Sequence, residues 1–312
     1  MIKSGKSVAV TGATGFLGQR LLPVLVNAGY QVKALTRRDQ PATDGVQWVK
    51  GNLGTEDALF DLCTRCTAVV HAAGAIKATN RGAFFKANAV GTLNVASAAQ
   101  KANVSKFLYV SSLAAREPEL SHYSASKAAG EDILSQRDWS FDWATMRPPG
   151  IYGPGDMETL ELIKMIKKGF MLVPGSRDNR ASWIHVDDLV KAIVILIGNF
   201  PSGEVFDISD GVAGGYSHEQ FAMVIGHILG VSPNLITTPG LLIKALGALS
   251  GLYARLIGQA TIFTYPKSKE LLHTDWSAQS TKPNALKTWH PRYTLTTGME
   301  NTVDWYRQNG FL

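Results

Sequence analysis

The feature that most constrains this chain is the octet Thr11-Gly12-Ala13-Thr14-Gly15-Phe16-Leu17-Gly18, which follows a β-branched run at Ser7–Thr11 and opens a helix-period stretch at Phe16–Ala28. Three glycines at this spacing suit a tight turn, a close approach of backbone to a pyrophosphate, and tight packing of helix on strand. The helix start adds unpaired N–H groups and a positive dipole end. Gly12, Thr14, Gly15, Phe16, Leu17 and Gly18 are therefore candidate dinucleotide contacts.

The surrounding texture agrees. Strand-like runs at Gln31–Thr36, Val46–Lys50, Ala68–His71, Lys106–Ser111 and Phe141–Met146 alternate with helical periods at Asp57–Thr64, Arg81–Ala102 and Tyr123–Gln136. That alternation predicts an α/β fold: a doubly wound parallel sheet covered on both faces. After Arg147-Pro148-Pro149-Gly150 shorter elements and Pro/Gly clusters take over. Residues 1–150 read as the dinucleotide-binding domain, and 151–312 as mainly a smaller substrate-binding lobe with segments returning to the sheet.

Charge narrows the ligand. The net charge is +6, with 17 Lys+Arg against 11 Asp+Glu in residues 1–150 and 14 against 14 in the remainder. No run of five like charges occurs and basic residues are not interleaved with aromatics, so nucleic acid is excluded as a partner and a localised anionic ligand is expected in the first half. The second strand ends at Arg37-Arg38. Arg suits a ribose 2′-phosphate where an acid would suit a free 2′-hydroxyl, so NADP is expected, with NAD as the other cofactor.

Tyr123 and Lys127 are four apart and share a helix face. An ammonium beside a phenol lowers the phenol's pKa toward neutrality and makes Tyr123 a general acid and base for a carbonyl/alcohol pair. Ser112, at the C-terminal end of a parallel strand, can hydrogen-bond the same oxygen.

These residues stand in order with Gly51-Asn52-Leu53, His71-Ala72-Ala73-Gly74, Asn88, Tyr123-Ser124-Ala125-Ser126-Lys127, Arg147-Pro148-Pro149-Gly150-Ile151-Tyr152-Gly153-Pro154-Gly155-Asp156 and Trp183-Ile184-His185-Val186-Asp187-Asp188-Leu189. Over about residues 7–200 the chain resembles the extended short-chain dehydrogenase/reductase family of epimerases, dehydratases and hydroxysteroid-type dehydrogenases. The resemblance implies a Rossmann sheet and a Ser112/Tyr123/Lys127 catalytic trio. It also implies cofactor contacts from Asn52, Leu53, Ala72, Ala73, Gly74, Asn88, Lys127, Pro148, Gly150 and Ile151. A homodimer through the helices at Arg81–Ala102 and Tyr123 is implied as well. Two departures stand out: Asn52 replaces a frequent Asp, and the Ser112–Tyr123 gap is short, which implies a trimmed loop over the pocket.

Other motifs take blander readings. Cys63-Thr64-Arg65-Cys66 has redox spacing but sits near the end of a predicted surface helix with no further Cys or His to complete a zinc site; no metal is expected and the role is structural. Asp187 or Asp188 would cap a helix running to Ile197, and Asp156 a helix over Leu160–Lys168. Two cysteines and an N-terminus without an apolar stretch before the first strand fit a reducing, cytoplasmic setting.

The segment 240–257 holds only Lys244 and Arg255 as charges. Their spacing puts them within about 20° of each other on a helix, flanked by Gly247, Ala248 and Gly251, with Leu242, Leu246, Leu249, Tyr253 and Ile257 opposite. Such a helix could pack in the core, cover a long apolar substrate, or lie on the cytoplasmic face of a membrane.

Three functions follow. The first is NADP(H)-dependent interconversion of a ketone and a secondary alcohol on a bulky apolar or lipid-like substrate, of sterol or 3-keto-sphingolipid/ceramide type. The second is an NAD-dependent nucleotide-sugar epimerase, for which Arg177 and Arg180 could clamp a diphosphate. The third is a non-catalytic dinucleotide-binding protein, against which the retained trio argues.

Overall fold

The computed structural model describes residues 6–256, 263–279 and 282–312. The N-terminal expectation for residues 1–5 and the placing of Ile257 lie outside the described residues. In chain order the elements begin with β1 Ser7–Thr11, α1 Phe16–Asn27, β2 Gln31–Thr36, β3 Val46–Lys50, α2 Glu56–Cys63 and β4 Ala68–His71. They continue with α3 Arg81–Phe85, a π-helical turn Lys86–Val90, α4 Gly91–Lys101, β5 Lys106–Val110, a 3-10 turn Leu113–Arg116, α5 His122–Ser135 and β6 Asp142–Arg147. The later part contains β7 Gly150–Tyr152, α6 Met157–Lys167, β8 Phe170–Pro174, β9 Arg180–Ala181, β10 Trp183–His185, α7 Val186–Gly198 and β11 Glu204–Asp207. It closes with β12 Tyr216–Ser217, α8 His218–Leu229, β13 Asn234–Thr238, α9 Gly240–Leu256, α10 Tyr265–Leu272, β14 Asp275–Trp276 and α11 Leu295–Gln308.

The main sheet has seven strands in the order β11-β6-β5-β4-β1-β2-β3. The pairs β1–β2, β1–β4, β2–β3, β4–β5 and β5–β6 are parallel. Order reverses beside β1, the switch point where such sheets hold ligands at their strand C-termini. Val8, Ala9, Val10, Val69, Val70, Phe107 and Leu108 are all buried, as strands covered on both faces require. This is the Rossmann arrangement, with a smaller C-terminal lobe.

The chain divides into two compact units. One comprises Met1–Arg147, Val190–Phe206 and Lys282–Thr288; the other comprises Pro148–Leu189, Asp207–Thr281 and Trp289–Leu312. The second unit has its own core, in which Leu160, Ile163, Phe221, Ile225, Met299 and Val303 pack around Tyr152 and Tyr306.

Several expectations change in detail. The helix expected over Arg81–Ala102 is interrupted: a π turn at Lys86–Val90 separates α3 from α4. Hydrophobic periodicity is blind to one inserted residue, and π turns concentrate at functional sites. Asp156 does cap a helix, accepting from Glu158 N at 2.9 Å and Thr159 N at 3.2 Å, but α6 starts at Met157, three residues before Leu160. Asp187 and Asp188 lie inside the first turn of α7. Asp188 is buried and its Oδ2 accepts the backbone N–H of Tyr293 at 2.9 Å. Cys63 ends the surface helix α2, as expected, and with Cys66 just beyond it is buried in the core with Leu59, Leu62 and Val95. They are unbridged, and burial pushes their thiols up to about 12 and about 11.

Candidate active site

The glycine turn is shaped for a ligand that lies on bare backbone. Gly12 has φ +73°, and a Cβ there would meet the Ala72 carbonyl carbon and the Ala73 nitrogen at 2.7 Å. A Cβ on Gly18 would overlap the carbonyl oxygen of Gly12, so the helix can start tight against the turn only with glycine there. Gly15 donates its N–H to Gly12 O at 3.0 Å and stands at the N-cap of α1 without a side-chain cap. No acidic residue lies in the first turn, so the free N–H groups and dipole at Phe16 and Leu17 are left for an anion. Thr14 and Gly15 are exposed on this lip. Such a cradle fits a dinucleotide pyrophosphate.

Beyond β2, Arg37, Arg38 and Asp39 are exposed. The Thr36 hydroxyl ties the turn, donating to Arg38 O at 2.6 Å and accepting from Arg38 N at 3.2 Å. Asp39 is engaged by Lys50 at 2.8 Å, and neither arginine has an acidic partner among the described residues. Asn52 Oδ1 accepts from Gly54 N at 2.8 Å, which leaves its amide N–H groups to donate outward. Leu53 packs on Gly91, and Asn94 donates to Leu53 O at 2.7 Å.

The loop after β4 is fastened from both sides. Ala73 donates to Thr11 Oγ1 at 3.2 Å, and Thr11 Oγ1 lies 2.6 Å from His71 Nδ1. His71 Nε2 is 3.1 Å from Thr92 Oγ1, whose hydroxyl donates to Asn88 O at 2.7 Å. That chain of donors fixes a neutral imidazole protonated at Nε2. Burial accordingly depresses His71 to about 3. Asn88, fully buried in the π turn, accepts from Ala75 N at 2.7 Å and donates to Ala75 O at 3.0 Å and Ser126 Oγ at 2.8 Å. Both amide N–H groups are thus spent on the protein, and Asn88 fastens the chain after Gly74 to the π turn and to α5. Gly74 lies close by: a Cβ there would come within 3.0 Å of Asn88 Oδ1.

Ser112 follows β5 and caps the 3-10 turn, accepting from Ala114 N at 3.2 Å. Tyr123 lies in the first turn of α5, half-buried, edge-on to Phe84 with centroids 6.3 Å apart. One helical turn on, Lys127 is buried; its ammonium donates to Val110 O at 2.8 Å and sits 4.3 Å over the Tyr109 ring. Burial pulls it down to about 7, with Glu131 opposing. A further turn on, Glu131 takes Arg147 Nε at 3.0 Å and Nη2 at 2.5 Å, and accepts a hydrogen bond from Ser111. Ser111, Glu131 and Arg147 were not singled out by sequence reasoning. The i+4 step from Lys127 to Glu131 was visible, but Arg147 comes from another strand.

Pro148, Gly150 and Ile151 fall in the second unit, where Gly150 lies under Trp183: a Cβ would be 2.7 Å from the indole. Arg177 is exposed and Arg180 half-buried. Arg177 donates to Leu235 O at 2.7 Å, and Arg180 binds the carbonyls of Gly214 and Gly215. No cluster of metal-binding side chains is found among the described residues.

Residues 8–209 match the family model described as the NAD dependent epimerase/dehydratase family. Over 309 residues the chain is 40% identical to the "Ceramide reductase" of Caulobacter vibrioides (strain NA1000 / CB15N), covering 98% of this chain and 96% of that one. It is 28% identical to the "UDP-glucose 4-epimerase" of Vibrio cholerae over 67% of this chain and 72% of that one. Among solved structures, MoeE5 in complex with UDP-glucuronic acid and NAD superposes with TM-score 0.75 at 21% identity, covering 98% of this chain and all of that one. Human epimerase family protein SDR39U1 (isoform2) with NADPH gives 0.73 at 18%, covering 96% and 99%. At these identities the structures speak to the fold.

Proposed function

The chain belongs to the NAD dependent epimerase/dehydratase family and is an NAD(P)-dependent oxidoreductase; from that premise we propose that it reduces the ketone of a ceramide-like lipid to a secondary alcohol, with NADPH as reductant. The reaction type rests on Tyr123 and Lys127 one turn apart on α5, with Ser112 at the end of β5. The substrate class rests on the 40% identity, nearly end to end, with a protein named for ceramide. A ceramide's sphingoid chain carries a secondary alcohol at C3, and 3-ketoceramide is its oxidised partner.

The residues divide the work. The Gly12–Gly18 turn and the start of α1 would hold the pyrophosphate, and Arg37 and Arg38 a 2′-phosphate. When bound, the nicotinamide supplies hydride to the carbonyl carbon. Ser112 donates a hydrogen bond to the carbonyl oxygen and orients it. Tyr123 gives that oxygen its phenolic proton, so that C=O becomes CH–OH, and the phenolate left behind is stabilised by the Lys127 ammonium. Lys127, brought near 7 by burial, can then pass on a proton at neutral pH.

A second reading, a nucleotide-sugar epimerase, is supported by the match to the Vibrio cholerae enzyme and by the fold's likeness to a protein crystallised with UDP-glucuronic acid. Against it, Arg180, one of the two arginines expected to clamp a diphosphate, gives its Nε and Nη2 donors to the backbone carbonyls of Gly214 and Gly215. One assay separates the two: purified protein is given NADPH with detergent-dispersed 3-ketoceramide, and NAD with UDP-glucose. Cofactor oxidation with the first and no epimerised sugar with the second is expected. The opposite result would replace the lipid reading with the sugar one.

A further inference from the structure

α9 is built inside out for a helix on the surface of a soluble protein. The side of α9 that carries Gly247 faces the protein. Ile243 and Ala254 are buried, and a Cβ on Gly247 would stand 2.8 Å from the Thr264 carbonyl oxygen, so glycine lets the helix lie directly on the chain leading into α10. Six large apolar residues point away. Leu241 is 84% exposed, Tyr253 65%, Leu249 63%, Leu252 56%, Leu242 50% and Leu246 46%.

At 100° per residue these six, with Ala245, fill an arc about 140° wide containing no charged residue. A solvated helix places its charged face there. An uninterrupted apolar face of this kind on a soluble chain marks an interaction surface.

Charge selects the occupant. From Gly240 to Leu256 the sequence carries two charges, Lys244 and Arg255, both cationic, and no acid. α10, packed against α9, adds Lys267 and Lys269 against Glu270, which pairs with Lys267. A second copy of this face would set cation against cation. An anionic bilayer surface offers both an apolar layer for the leucines and phosphates for the lysines. Among the described residues no helix is long and apolar enough to cross a membrane, so α9 would lie in the plane of the interface.

We propose that α9 docks this protein onto membranes bearing anionic phospholipid, with Leu241, Leu249 and Leu252 inserted among the acyl chains and Lys244 at headgroup level. The inference stands apart from the lipid-ketone reading, because docking is measured with neither substrate nor cofactor.

The test is co-sedimentation of the full chain with vesicles of phosphatidylcholine and phosphatidylglycerol, and with phosphatidylcholine alone. Wild type should pellet with the anionic vesicles and more weakly with the neutral ones. Leu241→Asp/Leu249→Asp should lower partition by about tenfold or more, since each buried leucine contributes a sizeable part of the binding. Its unfolding midpoint and its reduction of detergent-dispersed substrate should match wild type, because both side chains are exposed. Failure of wild type to bind anionic vesicles would overturn the proposal, as would equal binding by the double variant. So would a dimer in solution that the double variant splits while vesicle binding persists, which would make the face a contact between copies.

Discussion

Arg147 grips Glu131 from β6, its Nε 3.0 Å from one carboxylate oxygen and its Nη2 2.5 Å from the other, and so holds a negative charge one helical turn beyond Lys127. The three side chains Tyr123, Lys127 and Glu131 descend one face of α5 at four-residue steps. The pair is shielded, with the Glu131 side chain 7% exposed and Arg147 23%. Its field opposes the desolvation that pulls the Lys127 ammonium down to about 7. Glu131 is thus a positioning residue, acting on the proposed acid through the lysine.

Replacing Glu131 with Gln should let Lys127 lose its proton at lower pH than in wild type. The fall in kcat/KM on the alkaline side then moves to lower pH, with KM for NADPH little changed. Unpairing Arg147 should also cost about 3 kcal/mol of stability, as for one partner removed from a buried ion pair. Rates measured across the neutral range, beside urea unfolding, check both. A uniform loss of rate with an unmoved profile would reduce Glu131 to a structural role.

Arg37 and Arg38 lack acidic partners among the described residues because Lys50 engages Asp39. Replacing both with Ala should weaken NADPH binding by roughly 10- to 100-fold, the loss of bidentate charged hydrogen bonds, and leave NADH binding within about twofold. Titration calorimetry with each cofactor reads the difference. Equal weakening of both would assign the arginines to the fold or to a part the cofactors share.

His71 is a base whose folded pKa, about 3, lies below its ordinary value near 6.5. In that window the unfolded chain binds the proton and the native one refuses it, so stability is full above about 6.5 and declines as pH falls toward 3. At about 1.4 kcal/mol per pH step the loss amounts to several kcal/mol. Urea midpoints at neutral and mildly acid pH should fall steeply for wild type. They should fall less for His71→Phe, which starts lower because Thr11 and Thr92 lose their partner.

Cys63 and Cys66, with thiols raised to about 12 and about 11, should resist iodoacetamide in the native protein at mildly alkaline pH and react fully in urea. Mass spectrometry after labelling counts the adducts. Rapid native labelling would contradict their place in the core.

Much of this was legible from local sequence. The glycine turn works through backbone next to itself, so Gly12, Gly15 and Gly18 identify their own surroundings. Each main-sheet strand from Ser7 to Lys50 carries its pattern in five or six residues. Tyr123 and Lys127 share one helix face. What local sequence does not carry depends on distant partners: Arg147 at the end of β6 reaches Glu131 on α5, Asn88 binds Ala75 and Ser126, and Arg180 binds the carbonyls of Gly214 and Gly215. The π turn at Lys86–Val90 leaves apolar periodicity nearly intact on both sides. For α9 the sequence defined two faces, one small and one large, and amphipathicity alone could not say which faced the protein. Contact of Gly247 with Thr264 decides it.

Protonation of a lipid ketone by Tyr123 as hydride arrives at the carbonyl carbon is the step on which the proposed reaction turns. It is tested most directly by supplying 3-ketoceramide with NADPH deuterated at the nicotinamide C4 position and weighing the lipid product. Wild type should give ceramide carrying one deuterium at C3, and Tyr123→Phe, still binding NADPH, should be slower by about 100-fold or more. Unlabelled lipid from wild type, or deuterated product formed as fast by Tyr123→Phe, would contradict the account.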